Sequence, residues 1–208
     1  MRLRPLIGFV VRIGLLYVLM AWPWSIVGQA YASAYRGVCN ACFSSLASGG
    51  SVHFQPISEP KRDYDSEIRF VNTRTGAKQL ALTSSRDPAY YQTAFVIALV
   101  LATPLLWRRR LLALAASLVL VHMVILGKVF ITLVHGLNRE QVAVLHLSSG
   151  LERLVTLANR EVVNDIVSLL MIPVVIWIVV MFFAGDWERW LGDVDEPVTS
   201  GETPTATV

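Results

Sequence analysis

The sequence predicts an all-α membrane protein: four transmembrane helices with a small extracytoplasmic β-hairpin or sheet inserted between the first and the second. Three observations carry this reading. The 208 residues are 54% hydrophobic and only 16% charged, whereas soluble domains carry about 25% charged residues. Mean hydropathy is +0.54. The few charges are also segregated, leaving long windows from which no water-exposed surface can be built. A soluble globular domain is therefore excluded.

Spanning a hydrocarbon core about 30 Å thick takes about 20 mostly apolar residues. Four windows meet this: Pro5 to Gly28, Ala89 to Trp107, Leu111 to His135 and Val162 to Ala184. With no water to satisfy backbone groups in lipid, helix is the form expected of each. Pro23, Pro104 and Pro173 lie in these windows, and each predicts a kink or local unwinding.

Basic residues near short connections set the orientation. Arg2 and Arg4 precede the first window, and Arg108-Arg109-Arg110 form the expected turn between the second and third. Both termini then lie in the cytoplasm. The segments 29–88 and 136–161 lie outside. The net charge of +3, with fifteen arginines and three lysines, is thereby read as topology, and no nucleic-acid partner is expected. Met1 to Ala32 also has the basic start, apolar centre and Ala30-Tyr31-Ala32 of a secretory leader. Its length, Arg12 and the interfacial Trp22-Pro23-Trp24 favour an uncleaved anchor.

The outer loop changes period after Gly49-Gly50. Ser51 to Gln55, Glu67 to Val71 and Ala77 to Leu82 alternate apolar and polar residues, the signature of half-buried strands. The last two runs flank Asn72-Thr73-Arg74-Thr75-Gly76, a hairpin connection with Gly placed for positive φ. A sheet of two or three short strands needs something to pack against. Segment 136–161 is expected to be an amphipathic helical segment. Within it, a short interfacial helix, a break near Ser148 to Gly150 and a capping box at Ser149-Gly150-Leu151-Glu152 are read. After the last window, residues 185–208 form a cytoplasmic tail, acidic and without apolar period from Asp193 onward, and expected to be disordered there.

Two features could carry chemistry. Cys39 and Cys42 form a Cys-x-x-Cys pair, a candidate for disulfide or redox chemistry. Two small buried residues or a static disulfide are the plainer readings, because no thioredoxin-like βαβ context surrounds the pair. The absence of a His after Cys42 excludes c-type haem attachment, and two thiols exclude a four-thiol zinc site within one chain. The second feature is intramembrane. Lys128 sits about 27 Å and Asp165 about 30 Å from the inner face by helical rise, so antiparallel neighbours would bring them into contact. Each could instead snorkel separately to the outer interface. Ser117, Lys128, Thr132 and His135 share one helical stripe. Arg12, about 10 Å deep, can snorkel inward, and His122 lies off the stripe. No cofactor, metal site, phosphate loop or nucleophile elbow is read from the sequence.

Ala41-Cys42-Phe43-Ser44-Ser45 resembles the Ala-Cys-Ser-Gly stretch around the nucleophile of exosortases, bacterial membrane transpeptidases. The Arg positions of those enzymes have no match here. Thr83-Ser84-Ser85-Arg86, Ala98 to Pro104 and Trp107-Arg108-Arg109-Arg110 resemble small bacterial membrane proteins, some of which accompany exosortase systems. The apolar windows imply a multi-pass protein of the bacterial inner membrane, partnered by the lipid bilayer, and a sheet too small to stand alone implies docking to a membrane or extracytoplasmic protein. The function expected is a non-enzymatic accessory or assembly factor. A membrane thiol-disulfide oxidoreductase using Cys39 and Cys42 is the alternative, and a small transporter subunit around Lys128 and Asp165 the second.

Overall fold

Trp22 and Pro23 interrupt the first apolar run. In the computed structural model, which describes residues 3–61, 63–139, 141–163 and 166–183, helix α1 spans Leu3–Ala21 and helix α2 spans Trp24–Phe43. Their directions differ by 71°. Proline has no N–H for the helical ladder and its ring crowds the preceding turn, so the run 5–28 is not one helix. The Met20 carbonyl, which a continuous helix would have paired with the Trp24 amide, accepts a hydrogen bond from the Tyr90 hydroxyl at 2.6 Å. Trp24 and Tyr31 pack their rings 4.9 and 5.2 Å from that of Tyr90, fixing the bend.

After α2 comes a three-stranded antiparallel meander: β1 (Gly50–Lys61), β2 (Tyr64–Asn72) and β3 (Lys78–Thr83), in that spatial order. The alternation read from the sequence sorts the strands by face. Val52, Phe54, Ile68 and Phe70 are buried, with Val52 opposite Phe70 and Phe54 opposite Ile68. In the β2–β3 turn, Gly76 has φ +75°, a conformation open to Gly at no steric cost. The Asn72 carboxamide oxygen holds the turn, accepting from the amides of Arg74 at 2.9 Å and Thr75 at 3.1 Å.

The second apolar run is shorter as helix than the window 89–107. A π-helical turn, Arg86–Tyr91, leads into α3 (Gln92–Ala102), which extended Thr103 and Pro104 end. Val96, Ala98 and Val100 are fully buried, so α3 is the centre of the helix cluster. The connection to α4 (Trp107–Asn138) is 103–106; Arg108, Arg109 and Arg110 lie in the first turn of α4 and do not form the loop themselves. Helix α4 has 32 residues, about 48 Å at 1.5 Å per residue. Of the described helices it is the one long and apolar enough to cross a membrane alone. The pairs α1 with α2, and Ser149–Val163 with Val167–Phe183, reach that standard only as bent pairs. Four independent spans are thus not shown by element length, because proline breaks and π-helical turns divide the apolar runs.

The segment 136–161 is also only partly helical. Helix α4 runs on to Asn138, and the following residues turn back under the sheet, with Val142 buried and its carbonyl accepting from the Asn72 carboxamide at 2.8 Å. This pinning replaces the expected short interfacial helix. Helix α5 is Ser149–Ala158, capped by the backbone of Ser148 without a side-chain hydrogen bond. The expected capping box is one residue out of register. A π-helical turn, Asn159–Val163, precedes α6 (Ile166–Phe183), which carries Pro173 inside it. The acidic tail lies outside the described residues.

Candidate functional site

The end of α4 completes the core of the sheet. Val129, Leu133 and Leu137 pack in one cluster with Cys39, Phe54, Ile68 and Phe70, while Val121 and Ile125, one to two turns earlier, pack with α3 and α6. One helix therefore belongs to both cores and welds the sheet to the helix cluster. The tightest point is Gly136: a Cβ there would come within 2.5 Å of the Phe70 ring. Only a residue without a side chain lets that ring lie on the helix backbone.

The two outer edges of the sheet are treated differently. On β1, the Asn40 side chain donates to the Phe54 carbonyl at 2.9 Å and accepts from the Phe54 amide at 2.8 Å. The Val52 amide reaches the Ser44 carbonyl at 3.3 Å. The C-terminal turn of α2 thus substitutes for a missing neighbour strand. On β3 no such cover exists among the described residues. The Asn72 amide donates to the Ala77 carbonyl at 2.8 Å, and antiparallel pairs alternate between bonded and non-bonded. The backbone groups of Lys78, Leu80 and Leu82 consequently point to the open edge. Leu80 and Leu82 are 56% and 37% exposed. Natural sheets usually blunt such an edge; here one is sealed and the other left open.

Asn40 is expected to matter in proportion. Asn40→Ala would leave both backbone groups of Phe54 unpaired beside the core, at a cost of about 1–3 kcal/mol. Asn40→Asp keeps the acceptor and loses the donor, so it should fall between alanine and wild type in thermal unfolding.

A polar junction ties α2, β2 and the π-helical turn together. Arg36 donates to the Asp65 carbonyl at 3.3 Å and to the Ser66 hydroxyl at 3.2 Å. The Asp65 carboxylate accepts from the Ser66 hydroxyl at 2.7 Å, and from the Ser85 amide at 2.9 Å and hydroxyl at 2.8 Å. Beside it opens a cleft of about 440 Å³, lined by Trp24, Gln29, Arg36, Asp63, Tyr64 and Arg86 among others. The cleft presents both signs of charge, and Asp65 lines it too, with the Ser66 and Ser85 hydroxyls that meet its carboxylate both buried. It can hold polar groups. Among the described residues, no three His, Cys, Asp or Glu side chains gather as a metal site.

The model of one family, described as exosortase H-associated membrane protein, matches residues 3–182. The chain belongs to the exosortase H-associated membrane protein family. No curated protein and no solved structure matches it. The matched span runs from the first residue of α1 to the penultimate residue of α6, so sheet, sealed edge and helix cluster all fall within the family's extent. Association with an exosortase system agrees with the resemblance read from 83–86, 98–104 and 107–110.

Within this family member, the two cysteines are free thiols, Cys39 buried and Cys42 exposed. Cys39 is fully buried in the sheet core, and burial pushes its thiol up to about 12, against a smaller lowering by its hydrogen bond to Tyr35. A neutral, enclosed thiol is a poor nucleophile. What the Cys39-Asn40-Ala41-Cys42 stretch visibly supplies is a core residue and the edge-sealing amide of Asn40, a role that the cysteine spacing hid. Maleimide is expected to label Cys42 rapidly in the folded protein, and Cys39 only on unfolding. An unfolded thiol ionises near pH 8.5 and the folded one near 12. The burial of Cys39 therefore stabilises fully below about pH 8.5, and that contribution is lost as pH rises towards 12.

Lys128 is buried, 4% exposed, and joins three helices. Its ammonium donates to the Ser168 hydroxyl at 3.0 Å. With the Gln92 carboxamide turned oxygen inward, it also donates to Gln92 at 2.9 Å, while the Gln92 amide reaches the Pro88 carbonyl at 3.3 Å. The expected partner Asp165 lies outside the described residues. Nothing in the chain order linked Gln92 or Ser168 to Lys128, since each sits on a different helix. Ser117 shares the buried stripe, and His122 is exposed with Nδ1 2.7 Å from the Leu118 carbonyl.

Proposed function

We propose that the protein is a non-enzymatic accessory or assembly factor of an exosortase H system. It would sit in the bacterial inner membrane with four spans: α1, the run Arg86–Ala102, α4 and α6. Both termini would be cytoplasmic and the sheet would face outside. The observation that carries this reading is the asymmetry of the sheet, one edge sealed by Asn40 and the other open at Lys78, Leu80 and Leu82, on a domain held by a membrane helix. An open edge accepts an extended segment of a partner chain by strand addition, with main-chain hydrogen bonds supplying affinity and the alternate side chains specificity. The partner is an exosortase-system membrane protein, as the family description supports. Helix α5 fits the outer headgroup layer: no residue of it is buried, Leu151, Leu154 and Leu157 are all exposed, and its segment lies at 82° to α6. Such a helix rests in the interface plane.

Co-isolation from native membranes tests the docking edge. Leu80→Pro should reduce recovery of the partner at least about tenfold, because it removes an outward N–H that a docked strand would use. Unchanged recovery would refute the reading. The topology is tested separately in a Cys42→Ser background. Thr73→Cys should react with a membrane-impermeant maleimide in intact spheroplasts, and Arg108→Cys should react only after lysis. The reverse pattern would invert the orientation.

A further inference from the structure

At the end of α4 remote from the sheet, a pocket of about 430 Å³ lies between α1 and the α3–α4 connection. Arg12 and Arg110 both line it, and its remaining walls include Leu15, Leu16, Leu101 and Pro104, with no acidic side chain. The two arginines come from different helices and line one space with mostly apolar walls, Arg12 exposed and Arg110 half-buried. Neither forms an ion pair with a described residue. Arg110 donates from Nη2 to the Thr103 carbonyl at a long 3.4 Å, and its Nε is buried without a hydrogen-bond acceptor among the described residues. Arg12 lies nine residues into α1, about 13 Å along the helix, where an uncompensated cation in a bilayer is expensive. Two arginines lining one pocket, one of them with an unfilled buried donor, favour an anion there.

We propose that this pocket binds the phosphate of an anionic phospholipid. A phosphodiester offers one negative charge and oxygens that two guanidinium forks can share through charge-assisted hydrogen bonds, and only a headgroup without a cation of its own leaves that charge free to offset the two arginines. The leucine walls match glycerol and acyl carbons rather than water. Only the membrane placement of the helices is required, so this site stands or falls independently of the strand-docking edge.

The test uses the full chain purified in a neutral maltoside detergent, with binding read by native mass spectrometry and by the midpoint of thermal unfolding. Phosphatidylglycerol should form a one-to-one adduct and raise the midpoint. Phosphatidylcholine and inorganic phosphate at equal concentration should do neither. Arg12→Gln and Arg110→Gln should each weaken phosphatidylglycerol binding about tenfold or more. Arg108→Gln, on the same turn as Arg110 but outside the pocket, should leave it within about threefold. Lipid-free midpoints close to wild type show that the variants are folded; should either glutamine variant fail that check, Arg12→Lys and Arg110→Lys, which keep the charge and lose the fork, are expected to weaken binding less than tenfold but measurably. Equal binding of phosphatidylcholine, an equal shift by inorganic phosphate alone, or wild-type affinity in both glutamine variants would overturn the proposal. So would a more than tenfold gain in phosphatidylglycerol affinity on deleting residues 193–208, which would make the acidic tail the resident anion.

Discussion

Phe70→Ala is expected to destabilise the sheet domain by about 3–5 kcal/mol, the range for emptying a buried aromatic site. The ring is 1% exposed and lies on the α4 backbone at Gly136, so its loss removes the joint between sheet and membrane helix. Cys39 reports the effect without global unfolding, because it sits in the same cluster. At 1.4 kcal/mol per decade, its maleimide labelling should accelerate by about 100-fold or more, provided opening is fast relative to modification. Labelling of Cys42, already exposed, should barely change. Gly136→Ala probes the joint from the other side. The new Cβ would approach Phe70 Cζ to 2.5 Å, and overpacking of this kind costs about 1–3 kcal/mol. The two changes should not add: Phe70→Leu ought to relieve part of the Gly136→Ala penalty, giving a favourable coupling in a double-mutant cycle. Strict additivity would show that the ring and the glycine do not meet as described.

The second large effect is functional. Leu80→Pro should abolish strand docking while leaving the fold in place. The Leu80 N–H faces away from β2, so its loss breaks no ladder bond, and the preceding Gln79 is already in a strand conformation that proline tolerates before it. Ala81→Pro is the contrasting variant. Ala81 pairs with Ile68 at a bonded position, so proline there removes a β2–β3 hydrogen bond and should also speed labelling of Cys39. Loss of the partner in Leu80→Pro with slow Cys39 labelling, against loss of both in Ala81→Pro, separates docking from folding. Fast Cys39 labelling in both would reduce the effect of Leu80→Pro to misfolding.

Much of this architecture was legible in the sequence because single-residue physics dictates it. Period-two alternation located all three strands, and Gly76 marked the β2–β3 turn, which needs positive φ. The apolar windows located the helical cluster. Their internal breaks were read only in part. Pro23 announced a kink, yet nothing in the local pattern told that Tyr90, seventy residues on, would cap the Met20 carbonyl. Residues 139–148 were misread as helix because Val142 and Leu145 fit a helical spacing; the decisive force is tertiary, the Asn72 carboxamide claiming the Val142 carbonyl. Lys128 was legible as an intramembrane cation on a polar stripe with Ser117, Thr132 and His135, though the sequence leaves open whether it meets a partner or snorkels. Its partners Gln92 and Ser168 were not, because they lie on other helices and only the fold brings them to it. Asn40 was hidden for a different reason. Its role exists only where α2 meets the edge of β1, a juxtaposition made by the fold and absent from the chain order.

The most direct measurement is photocrosslinking in living cells from a benzophenone side chain at position 80, with position 53 as the comparison. Leu80 lies on the open strand and His53 on the same sheet face but on the sealed strand. A docking edge predicts a specific adduct from position 80 to an exosortase-system membrane protein, with little or none from position 53. Equal adducts from both positions, or an adduct from position 80 to cytosolic proteins alone, would contradict it.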